Sequence, residues 1–221
     1  MIELAPDVHW LPLVPPYSIN AYLIGDVLID SGTRLHRWLL PRLLHQHPVR
    51  CHALTHAHPD HQGSSHAICN ALNVPLWCGA SEAPAVEGGT TPELLPPTLL
   101  NRTIHGLFAG PAHPVERVLR EGDTIGDLEV IETPGHSPGH ISFWRERDRT
   151  LIVGDVIVNC HPLTNKIELQ EPLVTFTPDP ALNRQSARKL AALRPRLVCF
   201  GHGPPLRDGD AFCRFVEQLP I

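Results

Sequence analysis

Thr55-His56-Ala57-His58-Pro59-Asp60-His61 gathers three imidazoles and one carboxylate into a single short stretch. These are the donors that borderline divalent cations prefer. Just before the stretch, residues 51–55 read as a short buried strand. Just after it, a helix is expected from about residue 60 to 72, and then a strand over 75–78. This local order of strand, donor-rich loop, helix and strand sets the reading of everything further out.

Three more donors, His136, Asp155 and His202, each stand just after a predicted strand, over 130–133, 151–154 and 198–201. Strand ends from different parts of a sheet can meet on one rim, so the seven donors are expected to share one site. Glycines at 63, 135, 139, 154, 201 and 203 flank them, which lets the backbone turn sharply or approach a bound ion closely.

The remaining pattern completes the layers. Strands are predicted over 8–14, 21–25 and 27–29, with Gly25-Asp26 as the turn between the last two. Leu35, Trp38, Leu39, Leu43 and Leu44 recur at helical spacing, which predicts a helix over 34–45 that Pro48 stops. From 81 to 114 the composition shifts to Pro, Gly, Thr and Leu, read as an insertion carrying one or two helices. Strands return over 115–119, 128–132, 140–144 and 150–153, the last two joined at Arg147-Asp148. A helix over 180–193, a strand over 197–200 and a helix over 210–219 follow. Strands followed by helices, twice over, predict a sandwich with helices outside. No fixed-period repeat or linker divides residues 1–221, so a single domain is expected.

Composition narrows the functional classes. A formal charge of -5 and the lack of any Lys/Arg cluster give no field for a phosphate backbone, so nucleic acid is not expected as a partner. No apolar run approaches bilayer length, and the first residues have neither a basic nor an apolar leader region, so membrane association is not expected and the cytoplasm is the expected location. Six cysteines without a Cys-x-x-Cys pair read as reduced core thiols. The 24 prolines, grouped in connections such as 14–16, 95–97 and 203–205, imply short elements joined by stiff loops.

Taken singly, each donor has an ordinary structural reading. A lone histidine is usually exposed or hydrogen-bonded, Asp60 could cap a helix, Asp155 could sit in a turn, and His202 could donate to a carbonyl. Their joint occurrence at glycine-bounded strand ends is what points to a metal site.

His56-x-His58-x-Asp60-His61, His136 in Thr133-Pro-Gly-His-Ser-Pro-Gly-His140, Asp155 after Val153-Gly154, and His202 in Gly201-His-Gly203 resemble the metallo-beta-lactamase superfamily. The resemblance runs from Asp30 to Gly203, and Asp30 resembles the superfamily aspartate that supports the metal loop. It implies a four-layer αββα sandwich with a dinuclear metal site at one edge. His56, His58 and His136 would hold one metal, Asp60, His61 and His202 the second, and Asp155 would bridge both. It also implies two divalent ions, zinc first, with iron or manganese accepted by the same donors. The implied chemistry is attack by a metal-bridged hydroxide on a small ester, thioester or lactone, with Asp60 passing protons.

The stretch 133–140 is similar to the glyoxalase II group of thioesterases. The sequence stops at Ile221, soon after His202, which argues against that group's carboxy-terminal glutathione-binding part. Asp155 and the lack of an export leader argue against antibiotic hydrolysis. Two other activities fit the same scaffold. One is an iron-dependent persulfide dioxygenase using His56, His136 and Asp155, although His140 stands where those enzymes tend to have cysteine. The other is a phosphodiesterase or nuclease, which the acidic balance disfavours. A purely structural or storage site is a further reading, though such sites are normally closed by four ligands. His140 and His161 are open between site and structural roles, and the stretches 80–114 and 160–178 are expected to wall the pocket.

Overall fold

The computed structural model describes residues 1–14, 17–161 and 164–220, so the prolines of the 14–16 connection and part of the 160–178 wall lie outside the described residues. One sheet runs in chain order: β1 (Ile2–Ala5), β2 (Val8–Val14), β3 (Ile19–Ile24), β4 (Val27–Ile29), β5 (Cys51–Ala53), β6 (Leu76–Gly79) and β7 (Arg117–Leu119). Its first four strands pair antiparallel and its last four parallel. Parallel neighbours require crossovers. These are α1 (Leu39–Leu44), then α2 (Pro59–Gln62) with α3 (Ser65–Leu72), then α4 (Ala83–Gly88) with α5 (Leu99–Phe108).

The second sheet has five strands, β8 (Thr124–Ile125), β9 (Leu128–Glu132), β10 (Ile141–Arg145), β11 (Thr150–Gly154) and β12 (Leu197–Phe200), in the order β12-β11-β10-β9-β8. Its one parallel pair, β11 and β12, is bridged by α6 (Pro180–Ala191), and α7 (Gly209–Glu217) closes the chain.

Apolar faces stack these parts. Tyr22, Ile29 and Ala53 of the first sheet meet Val130, Phe143 and Cys199 of the second in one buried cluster. The outer face of the first sheet, through Leu11, Leu23 and Leu28, packs on Leu40, Leu44 and Ile68 of α1 and α3. The outer face of the second, through Trp144, Leu151 and Val198, packs on Leu190 of α6 and on Phe212 and Val216 of α7. Helix, sheet, sheet and helix give the expected four-layer αββα sandwich. Each fully buried aliphatic or aromatic side chain contributes about 1.5–3 kcal/mol, so this stacking dominates stability.

The chain departs from expectation in four places, one of them the helix expected over 60–72, which is broken at Gly63-Ser64 into α2 and α3. The predicted helix over 34–45 is a 3-10 turn, Arg34–His36, followed by the shorter α1. Pro41 lacks the N–H that a helix through this region needs and tolerates only a position near a helix start. As a result Leu35 and Trp38, counted in the helical spacing, are 62% and 67% exposed, and only Leu40 and Leu44 of α1 are buried. Strands β1 and β8 were not predicted, because a four-residue edge strand and a two-residue strand are too short to show alternation.

Two side chains, through three hydrogen bonds, draw the sheets together at the rim where β5, β9, β11 and β12 end. Tyr22 donates its hydroxyl to the Phe200 carbonyl at 2.8 Å, and the Asn20 carboxamide donates to the Phe200 and Gly203 carbonyls at 2.9 and 2.7 Å. Asn20 on β3 thereby fixes the loop that carries His202. Among the described residues no helix is long and apolar enough to cross a membrane.

Candidate metal centre

Proline places the first four donors. A residue before proline is pushed to extended backbone, and His58 has φ -65 and ψ 155. Pro59, with its fixed φ, opens α2, so Asp60 and His61 fall in the first helical turn while His56 and His58 remain on the irregular chain before it. The other three donors follow β9, β11 and β12. Gly201 makes the close approach possible, since a Cβ there would lie 2.0 Å from Asp155 Oδ1 and 2.7 Å from His61 Cε1.

All seven donors come together at this rim. His56, His58 and His136 form one group of mutually close donor atoms, Asp60, His61 and His202 another, each within 4.8 Å. His56, His61 and Asp155 form a third, so the two triads share a boundary. Asp155 Oδ2 lies 3.5 Å from His136 Nε2, 3.4 Å from His61 Nε2 and 3.0 Å from His202 Nε2, which puts one carboxylate against members of both triads. Asp60 Oδ2 lies 3.4 Å from His202 Nε2 at the more open side.

Hydrogen bonds on the far side of each ring decide which nitrogen faces inward. His61 Nδ1 lies 2.9 Å from Asp30 Oδ2, and an acceptor-only carboxylate requires a proton on Nδ1. His202 Nδ1 faces the Ser18 carbonyl, with the same consequence. The Thr55 hydroxyl donates to Asp30 at 2.8 Å, and its oxygen faces His56 Nδ1 at 3.1 Å. Likewise Thr177 donates to the Leu173 carbonyl at 3.0 Å and faces His136 Nδ1 at 3.1 Å. These four rings therefore turn Nε2 toward the common centre.

What meets those nitrogens is the test of fit. Among the described residues, Nε2 of His56, His58, His61 and His136 and Oδ1 of Asp155 are buried without a hydrogen-bond partner. A buried unpaired polar atom costs about 1–3 kcal/mol, and four imidazoles aimed at one place leave the cluster unsatisfied from protein alone. Nitrogen and oxygen donors of this kind fit divalent cations, with the far-side bonds acting as the outer support that metal-binding histidines usually have.

The electrostatics agree. Burial, reinforced by the neighbouring imidazoles, keeps His56 and His136 well below their ordinary range, and burial brings His58 down to about 4, so all three present lone pairs. Burial also opposes charge on His61 and His202, yet Asp155 and Asp30 raise the first well above its ordinary range, and Asp155 and Asp60 raise the second to about 9. Asp155, whose charge burial opposes, is held far below the usual carboxylate range by His202 and His61. This half of the cluster collects positive charge, which either protons or cations can supply.

The two undecided histidines resolve differently. His140 is buried, with Nδ1 2.8 Å from Thr133 Oγ1 and Nε2 accepting the Asp155 N–H at 3.1 Å. Both nitrogens are used, so His140 orients Asp155 and has no lone pair left for an ion. His161 does not line the cavity beside the donors, whereas its neighbour Cys160 does, and its Nδ1 accepts the Thr164 N–H at 3.3 Å.

Glu82 is the residue that sequence reasoning missed. Fully buried, it accepts the Ala57 N–H at 2.9 Å, the Gly139 N–H at 2.7 Å and the Ser137 hydroxyl at 2.5 Å. One carboxylate thus joins the loop between His56 and His58 to the loop that follows His136. No motif surrounds Glu82 in the chain, so only the distance contacts reveal it.

The metallo-beta-lactamase superfamily profile matches residues 14–202. A probable metallo-hydrolase of Bacillus subtilis, YflN, is 34% identical over 249 residues, covering 98% of this chain and 91% of that protein. The crystal structure of TTHA1623 in a di-iron-bound form superimposes with a TM-score of 0.66 at 29% identity, covering 89% of this chain and 94% of that one. More distant is the atrochrysone carboxyl ACP thioesterase of Aspergillus fumigatus, 25% identical over 86% of this chain, which spans 52% of that protein. With the sandwich, the seven donors at its rim and a match across most of its length, the chain belongs to the metallo-beta-lactamase superfamily.

Proposed function

We propose that this protein is a dinuclear metal-dependent hydrolase of a small ester, thioester or lactone, with residues 1–221 working as one unit. The observation that carries this reading is the position of Asp155, whose Oδ2 stands within 3.5 Å of Nε2 on His61, His136 and His202. It supports two ions, one on His56, His58 and His136 and one on Asp60, His61 and His202, with Asp155 between them. Zinc suits the nitrogen-rich set, and iron and manganese are accepted by the same donors. Bound there, divalent ions supply Lewis acidity and lower the pKa of water enough to make it a nucleophile near neutral pH.

The chain's own groups do the rest. Asp60 lines the cavity and is less buried than the other donors of the loop, so its carboxylate can accept a proton from water entering the cavity and return it to the departing oxygen or sulfur. Asp30, Thr55, Thr177 and the Ser18 carbonyl hold the imidazole rings in orientation, and His140 holds Asp155. The thioesterase name borne by one relative supports the thioester among the substrates proposed.

Metal analysis of protein purified without added metal, together with turnover of a panel of thioesters, lactones and phosphodiesters, tests this reading. Two ions per chain and hydrolysis lost in His58→Ala are expected. A single iron per chain with thiol-dependent oxygen uptake, or turnover unchanged in His58→Ala, would overturn it.

A further inference from the structure

The donors His58, Asp60, His136, Asp155 and His202 occupy one side of a cavity of about 500 Å³, within the range of roughly 300–1,000 Å³ typical of small-molecule sites. Leu95, Ile104, Phe108, Val158, Leu173 and Phe176 line the same cavity. Ile104 and Phe108 stand one turn apart on α5 and so share a face. The buried Asn101 carboxamide donates to the Pro96 and Thr175 carbonyls, each at 2.8 Å, which fixes α5 against the segment bearing Leu173 and Phe176. Two separate stretches of chain are therefore tied together by the Asn101 hydrogen bonds, and both contribute apolar side chains to the cavity.

The charges around this cavity are equally selective. Among the described residues no lysine or arginine lines it. Its acidic groups are Asp60 and Asp155 at the donor end and Glu171, which is occupied by Arg184 at 2.7 Å. A substrate carboxylate or phosphate lying along the apolar wall would give up its hydration with no cation of the protein to receive it, a cost that buried charges do not recover.

We infer that the molecule taken by this site carries a neutral, extended apolar arm, such as a medium-length acyl chain, against α5 and residues 173–176, with its reacting carbonyl at the donor end. This rests on the hydrolase reading for the carbonyl and on the cavity alone for the arm. The glutathione portion of a hydroxyacylglutathione and the backbone of a phosphodiester are the wrong chemistry for the wall.

The test uses the metal-loaded protein and p-nitrophenyl esters from acetyl to octanoyl. Burying one methylene is expected to raise kcat/KM about fourfold per added carbon until the cavity is full. An ester whose chain ends in a carboxylate is expected to react about tenfold more slowly, or worse, than the neutral ester of the same length. Phe108→Ala should lower octanoyl turnover more than acetyl turnover, and Ile104→Glu, checked for folding by near-ultraviolet circular dichroism, should do the same more strongly.

Calorimetric titration with octanamide and acetamide gives a readout independent of turnover. Tighter binding of octanamide, with the negative heat-capacity change of apolar burial and loss in Ile104→Glu, supports the apolar arm even if no ester is hydrolysed, in which case the hydrolase reading alone fails. Turnover that is flat or falling with chain length, equal turnover of the carboxylate-ended ester, or octanamide binding no tighter than acetamide overturns the inference.

Discussion

Asp30 Oδ2 lies 2.9 Å from His61 Nδ1, while the same carboxylate accepts the Thr55 N–H and hydroxyl, each at 2.8 Å. Asp30 has φ 59, a left-handed conformation that asparagine tolerates better than alanine. Asp30→Asn therefore keeps the turn and removes the charge. It is expected to weaken metal retention about 10–100-fold, read by competition with a chelator. Undiminished retention would show that Asp30 does not support His61.

His140 offers a contrast, because its ring joins Thr133 to the Asp155 N–H and leaves nothing for an ion. His140→Ala strands the buried Asp155 N–H, while the Thr133 hydroxyl keeps Ser142 Oγ at 3.0 Å, so a stability loss of about 1–3 kcal/mol is expected in urea denaturation. Metal stoichiometry should stay at its original value. A drop of one whole ion per chain would reassign His140 as a ligand.

At Gly201 the space available for a Cβ ends 2.0 Å away at Asp155 Oδ1. Gly201→Ala must displace Asp155 or the β12 turn, and a loss of metal affinity of about 10–100-fold is expected, comparable to removing an outer support. Elemental analysis after dialysis checks it, and full occupancy in the variant would refute the close packing described.

Acid should loosen the metal-free protein through His52, a buried ring between the Leu28 carbonyl and the Ser65 hydroxyl that is not one of the seven donors. Burial brings its pKa from 6.5 down to about 4. Between those values the unfolded chain takes up a proton that the folded chain refuses. Stability is thus fully present above 6.5 and is lost as the pH falls toward 4, by about 3 kcal/mol in all. His52→Gln should flatten that part of the pH dependence by about one proton, and an unchanged slope would exclude His52 as its source.

Much of this site was legible because its information is local. His-x-His-x-Asp-His is compressed around Pro59, and a proline-started helix leaves little freedom in where those side chains point. His136, Asp155 and His202 were readable for a related reason, since buried strands such as β11 and β12 announce themselves as apolar runs and their ends can be counted to a residue. Glu82 was not readable. Its role consists of three hydrogen bonds to chain 25 or more positions away, and nothing in Ser81-Glu82-Ala83 distinguishes it from an exposed loop acid. The helix over 34–45 failed for the opposite reason, because apolar spacing was followed where Pro41 should have prevailed. The apolar wall was foreseen only as two stretches. That α5 and residues 173–176 are held together depends on Asn101, whose partner Thr175 lies 74 positions further along the chain.

The two sheets divide the chain cleanly, the first ending at Leu119 and the second beginning at Thr124. The donors divide the same way, with 56–61 from the first half and His136, Asp155 and His202 from the second. An ion gripped by both halves is therefore a removable cross-link between them. By the chain-entropy reasoning applied to disulfides, closing a loop as long as the one from His58 to His136, the two halves' donors to one ion, is worth about 4.5 kcal/mol. Chelation would then do more than silence chemistry: it would free one half of the sandwich to part from the other, beginning at the rim and leaving the helix-backed faces of each sheet intact.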